Sequence, residues 1–203
     1  MLISLLSFLL IPYAITPAQA SEPPNTEIFD HLGFANVTEV DVETFPAGMY
    51  NITLYAEFAG YCDENELSYY EVGTSTHNLI FAGPEGGFEY LSPPATKTIM
   101  AGSQFGLSIR TPENYTYLTE KNLNPDEQQH FRVYKSLDDP SMFLVGFEDL
   151  YEGGDKDYQD MVFSLKIQPP QPRIPEVPFG TIVILLAMFV AFLGFVGFKR
   201  LRA

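Results

Sequence analysis

Apolar residues along most of the chain recur at every second position. From Met49 to Phe58, Tyr50, Ile52, Leu54, Ala56 and Phe58 share one face of an extended segment, while Asn51, Thr53, Tyr55 and Glu57 share the other. Met161 to Ile167 repeats the pattern, with Met161, Phe163, Leu165 and Ile167 alternating with Val162, Ser164 and Lys166. Shorter runs read the same way at Val37–Glu43, Asn78–Ala82, Thr96–Ala101, Gln104–Arg110, His130–Lys135 and Phe143–Phe147. Turn clusters punctuate them: Gly83-Pro84-Glu85-Gly86-Gly87, Asn122-Leu123-Asn124-Pro125 and Asp138-Asp139-Pro140. No helical period of useful length and no internal repeat precedes residue 179. The pattern predicts an all-β domain, a β-sandwich of jelly-roll type.

The two ends read differently. Residues 1–20 are nearly all apolar and close on Ala18-Gln19-Ala20, so we expect a signal peptide cleaved after Ala20. Its apolar core is short for a bilayer span, and Pro12 and Pro17 break a longer helix. Residues 179–198 carry no charge, and twenty helical residues cover about 30 Å, the thickness of a hydrocarbon core. The basic residues Lys199, Arg200 and Arg202 follow at once, which predicts a single C-terminal transmembrane helix with tail 199–203 in the cytoplasm. Residues 168–178 hold five prolines in eleven positions and predict a semi-rigid stalk. The expected product is a cell-surface ectodomain, residues 21–167, on a stalk.

Charge narrows what that ectodomain does. All 26 acidic residues lie between 21 and 178 against eight basic ones, a formal charge of −18. Phosphate backbones are repelled, so nucleic acid is excluded as a partner of the usual basic-patch kind. A single cysteine, Cys62, excludes an intramolecular disulfide; it reads as a small buried side chain or an interchain link. Three sequons, at Asn36, Asn51 and Asn114, become candidate glycosylation sites once export is accepted.

The densest chemistry lies between the last two predicted strands. Six carboxylates fall in residues 148–160. Gathering Asp155, Asp157 and Asp160 in one turn costs repulsion unless a cation sits among them. Calcium takes six to eight oxygen ligands from flexible loops, and Gly153-Gly154 allows the sharp turn. Glu148 and Asp149 at the strand end complete the candidate shell. No EF-hand is present, because the sixth loop position is Asp160 rather than glycine. A Ca2+ loop and a solvated acidic hairpin both fit these residues.

A resemblance adds to this reading. Phe147-Glu148-Asp149-Leu150 followed by Gly153-Gly154-Asp155-Lys156-Asp157-Tyr158-Gln159-Asp160-Met161-Val162-Phe163 resembles the closing signature of domain of unknown function family 4114, found in exported bacterial and archaeal proteins. Ala56–Tyr61, Asn65–Tyr70, Leu79–Gly83 and Leu123–Asp126 with His130-Phe131 are similar to its earlier segments. The resemblance implies a β-sandwich and calcium at Glu148, Asp149, Asp155, Asp157 and Asp160, and no known reaction. Gln159 stands where an asparagine is expected. The tail from Pro175-Glu176 to Lys199-Arg200 resembles archaeal proline-glutamate sorting tails, although Val177 departs from the usual aromatic.

Three function classes remain. His31, His77 and His130 form no local zinc pattern, and no Gly-x-Ser-x-Gly elbow occurs, which disfavours an extracellular hydrolase. A calcium-dependent carbohydrate-binding module could use Tyr61, Tyr69, Tyr70, Tyr115 and Tyr117 as a platform for an extracellular glycan. The expectation is a non-enzymatic, calcium-binding surface protein with a structural, adhesive or recognition role towards a glycan or protein.

Overall fold

The computed structural model describes residues 24–62, 64–83, 89–169, 183–184, 186–190 and 192. The chain divides into two units, Met1–Pro169 and Pro170–Ala203. Among the described residues of the first, ten strands form two antiparallel sheets: β1 (Val37–Val40), β2 (Gly48–Glu57), β3 (Glu66–Glu71), β4 (His77–Phe81), β5 (Glu89–Ala101), β6 (Phe105–Arg110), β7 (Thr116–Leu118), β8 (Phe131–Ser136), β9 (Met142–Phe147) and β10 (Met161–Ile167). The larger sheet has the order β1-β8-β9-β10-β2-β5, and the smaller β4-β3-β6-β7. The expected all-β, two-sheet architecture is therefore present.

The core lies between the sheets. Tyr50, Ile52 and Leu54 of β2, Val145 and Phe147 of β9, and Met161, Phe163 and Leu165 of β10 face Leu67 of β3 and Phe105, Leu107 and Ile109 of β6. Alternation places these residues inward because successive strand side chains point to opposite faces. On β10 the alternation holds from Met161 to Leu165. On β2 it does not. Leu54 pairs with Phe163 and Ala56 with Val162, so Tyr55 is the extra residue of a bulge. Beyond it the faces exchange: Ala56 and Phe58 join a second apolar cluster with Tyr134, Leu144 and Val162, instead of sharing a face with Tyr50, Ile52 and Leu54.

That second cluster is covered by a helix the periodicity did not reveal, α1 (Asn25–His31), with Ile28 and Phe29 fully buried. Seven residues make barely two turns, too few for a 3.6-residue period to stand out. The Phe29 ring meets Tyr134 edge-on at 5.1 Å. Two further strands, β3 and β7, lie outside the runs read by alternation. β5 begins seven residues before the expected Thr96, across Pro93 and Pro94. Proline is tolerated there because β5 is an outer strand with one side free of ladder bonds.

Residues 1–20, with the cleavage position Ala20, and 170–178 and 199–203 lie outside the described residues. Within 179–198 the described positions, 183–184, 186–190 and 192, are helical. Among the described residues no helix is long and apolar enough to cross a membrane.

Replacing Phe29 by alanine removes a fully buried ring, a change that costs about 3–5 kcal/mol in well-packed sites. We expect a matching fall in the denaturant midpoint of Phe29→Ala, read by far-ultraviolet circular dichroism. An unchanged midpoint would show that α1 contributes no packing energy.

Candidate metal centre

Strands β9 and β10 are paired along their length, and residues 148–160 connect them at one end of the sandwich. The connection coils tightly. Glu152, Gly153, Gly154, Lys156 and Tyr158 all have positive φ, of 65°, 76°, 40°, 65° and 57°. Non-glycine residues adopt such angles at a cost, so other contacts must hold the loop. Glu148 supplies several: its carboxylate accepts from the backbone N–H of Leu150 at 3.4 Å and of Lys156 at 3.1 Å. Gly154 lies so close beneath that carboxylate that a Cβ there would collide with Glu148 Oε1. From outside, the Asn25 N–H of α1 donates to the Asp157 carbonyl at 3.2 Å, and Phe58 N–H to that of Gln159 at 3.3 Å.

All five candidate ligands converge, in two overlapping groups. Glu148, Asp149 and Asp160 place one carboxylate oxygen each within 4.8 Å of one another, as do Glu148, Asp155 and Asp157. Asp155, Asp157 and Asp160 therefore do not form the single triad that spacing suggested; Glu148 is the shared member. The inner group is buried, with residue exposures of 1%, 4% and 8%. Like charges at that separation repel by roughly 3 kcal/mol per pair at an effective dielectric of about 20, so three anions cannot share the space uncompensated.

Protons respond accordingly. Burial, then the charges of Asp149 and Glu148, push the Asp160 carboxyl up to about 9. Burial, then Asp155, raises Glu148 to about 7, and burial also raises Asp149. Asp160 Oδ2 meanwhile accepts from the Asp149 N–H at 2.7 Å, fixing its position against the strand end.

Three residues that local pattern did not single out for this site complete the surroundings. Asn65, fully buried, donates from Nδ2 to Asp149 Oδ2 at 3.0 Å, and its Oδ1 has no hydrogen-bond partner among the described residues. Asn65 precedes β3, so only the folded sandwich brings it to Asp149. His130 is fully buried, with Nδ1 2.7 Å from the Glu148 carbonyl oxygen and Nε2 2.9 Å from Asp126 Oδ2. Asp126 Oδ2 also accepts from the Glu152 N–H at 2.8 Å, tying the loop to the segment before β8. With both imidazole nitrogens engaged there, the cluster offers oxygen donors. A cavity of about 360 Å3 opens beside it, lined by Gly60, Tyr61, Leu150, Gln159, Glu148, Asp149, Asp155 and Asp160.

The segment that builds this end of the sandwich can be placed among known proteins. Residues 93–168 match the family described as Domain of unknown function (DUF4114). The DUF4114 segment runs from within β5 past the end of β10 and contains all five carboxylates; Asn65 and Tyr61 lie upstream of it. The resemblances at residues 56–83 also fall before the matched range. No curated protein matches the chain.

The remaining candidates are dispersed. Asn36 is exposed and donates to Asp138 Oδ1 at 3.1 Å; Asn51 is half-buried and accepts from Thr98 Oγ1 at 2.8 Å; Asn114 is exposed at a φ of 71°. Cys62 is half-buried. Of the five tyrosines considered as a platform, Tyr70 and Tyr117 are buried, so the five do not form one exposed row. On the outer face of the smaller sheet, His77 Nδ1 lies 2.6 Å from Ser108 Oγ beside a cavity of about 310 Å3.

The raised carboxyl pKa values give a direction to the pH dependence. The folded state holds these protons more tightly than an unfolded chain, whose Asp and Glu titrate near 3.8 and 4.5. Stability is thus fully present below those values and is lost as pH rises through about 7 and then about 9. With chelator present, we expect the melting midpoint to fall between pH 5 and pH 9 (roughly the span set by these values) and Asp160→Asn to flatten that fall. A midpoint independent of pH in this range would contradict the burial assigned to Asp160. Separately, Gly154→Ala should displace Glu148, seen as a loss of Lys156 amide protection in hydrogen exchange.

Proposed function

We propose that the first unit is a jelly-roll-like, calcium-binding sandwich of an exported, membrane-anchored surface protein, acting by structure or recognition rather than catalysis. The observation that carries the metal reading is the buried group Glu148, Asp149 and Asp160 with the unpartnered Asn65 Oδ1 beside it. Three carboxylates and an amide oxygen, with His130 engaged elsewhere, make a hard donor set. Hard oxygen donors in a coiled, glycine-containing loop suit calcium, which accepts irregular shells of six to eight oxygens; magnesium demands near-octahedral geometry and keeps its waters. Asp155 and Asp157, more exposed, would close the shell from the solvent side through Glu148. Affinities of about 10⁻⁴ to 10⁻³ M are usual for extracellular calcium modules and match an exported domain.

Export and anchoring rest on the sequence of the two ends: the apolar leader closing at Ala20 and the uncharged residues 179–198 ahead of Lys199-Arg200. The non-catalytic reading has support at the Ser108–His77 pair. Ser108 sits mid-strand, in register with Ser68 of β3 on one side and Leu118 of β7 on the other. It therefore stands inside a regular strand flanked by two others, and not on the sharp strand-to-helix turn that exposes a serine nucleophile.

The test is a thermal melt of the full chain in detergent, with calcium and with chelator. Calcium at 100 times its Kd stabilises by about 2.7 kcal/mol, a midpoint rise of roughly 5–10 °C at this size. The rise should vanish in Asp160→Asn and shrink in the double variant Asp155→Ala, Asp157→Ala. Equal midpoints in calcium and chelator for the unaltered chain would sink the reading.

A further inference from the structure

We propose that the cavity over the acidic cluster binds a neutral sugar, whose adjacent hydroxyls complete the coordination of the calcium ion and whose ring lies against Tyr61. This rests on the calcium reading above and names the ligand of the same site. The cavity, about 360 Å3, falls at the lower end of the range for small-molecule sites, about 300–1,000 Å3.

Its lining selects the chemistry. Among the described residues, four of the eight that line it are carboxylates and none is basic, so an anionic ligand meets no compensating side chain there and is repelled by those carboxylates that the metal leaves uncompensated. A cationic ligand would compete with calcium for the same oxygens. A neutral polyhydroxy compound avoids both penalties, because hydroxyl oxygens are hard donors that bind calcium in place of water. Gly60, Tyr61 and Leu150 contribute uncharged surface to the same lining. Tyr61 is half-buried, and its hydroxyl donates to Glu113 Oε1 at 2.8 Å, which holds the ring in place beside the cavity. Aromatic walls favour the C–H faces of a sugar while leaving its hydroxyls free. The tyrosine concerned is thus the one that lines this cavity, in contrast to the buried Tyr70 and Tyr117.

The experiment is calorimetry and saturation-transfer magnetic resonance on the full chain in detergent, with methyl mannoside, a neutral mannose oligosaccharide, glycerol and glucuronate as probes. We expect the two neutral sugars to bind in calcium and to be released by chelator, with glucuronate silent. A stronger signal from the oligosaccharide than from methyl mannoside identifies a glycan chain rather than a free sugar as the source. Tyr61→Ala should keep its calcium heat and weaken methyl mannoside by at least about tenfold, that is 1.4 kcal/mol. Tyr61→Phe, which retains the ring, should bind within a few-fold of the unaltered chain. Calcium heat without saturation transfer to either neutral sugar overturns the proposal while sparing the calcium site. Absence of calcium heat overturns both.

Discussion

Three carboxyl groups packed together away from water impose the constraint around which this end of the molecule is organised. Glu148, Asp149 and Asp160 occupy the point where β9 and β10 part, and their mutual repulsion has to be answered by protons or by a cation. Everything near them serves to hold the arrangement. Backbone amides of Leu150 and Lys156 turn towards Glu148, Asp160 is fixed by the Asp149 N–H, and Asn65 reaches across from the start of β3. Three non-glycine residues at positive φ, Glu152, Lys156 and Tyr158, are the backbone's share of that cost. A hairpin free to choose its own shape would not coil this way.

The bulge at Tyr55 governs the other side of the large sheet. By inserting one residue into β2, it turns Ala56 and Phe58 from the inter-sheet core to the outer face. That outer face then needs a cover, and Ile28 and Phe29 of α1 provide it. The same helix starts at Asn25, whose backbone N–H bonds the Asp157 carbonyl. The register shift, the helix and the acidic loop are in this way mechanically connected, although they lie far apart in sequence.

Much of the sandwich was legible from alternation because its strands send one face into the inter-sheet core, as β2 does with buried Tyr50, Ile52 and Leu54 between half-buried Asn51 and Thr53. Alternation failed where tertiary context overrode it. The face exchange in β2 depends on a partner strand more than a hundred residues away, and Pro93 and Pro94 disguised the start of β5 as a loop. β7 is three residues long and α1 seven, below the length at which a period can be recognised. The carboxylates of the site were legible because local spacing concentrates them in one loop. Asn65, Asp126 and His130 were not assigned to it, since no local pattern announces a partner that the fold delivers from another strand. The division of the five carboxylates into two groups around Glu148 was also beyond spacing, because it depends on how the loop coils.

The position of β10 has a consequence for force. It is the last strand of its unit, yet it lies inside the larger sheet, between β9 and β2. Tension on the chain beyond Pro169 enters at Ile167, which pairs with Tyr50 on one side and takes the Ser141 carbonyl on the other. Such a strand cannot be peeled away like an edge; both neighbouring ladders must yield. Just before its far end stands Asp160, whose carboxyl is held by the Asp149 N–H. A pull arriving along β10 is therefore resisted by hydrogen bonds along both its sides and by the one that ties Asp160 to the end of β9, which is how a rivet seated in the middle of a plate holds better than one at the rim.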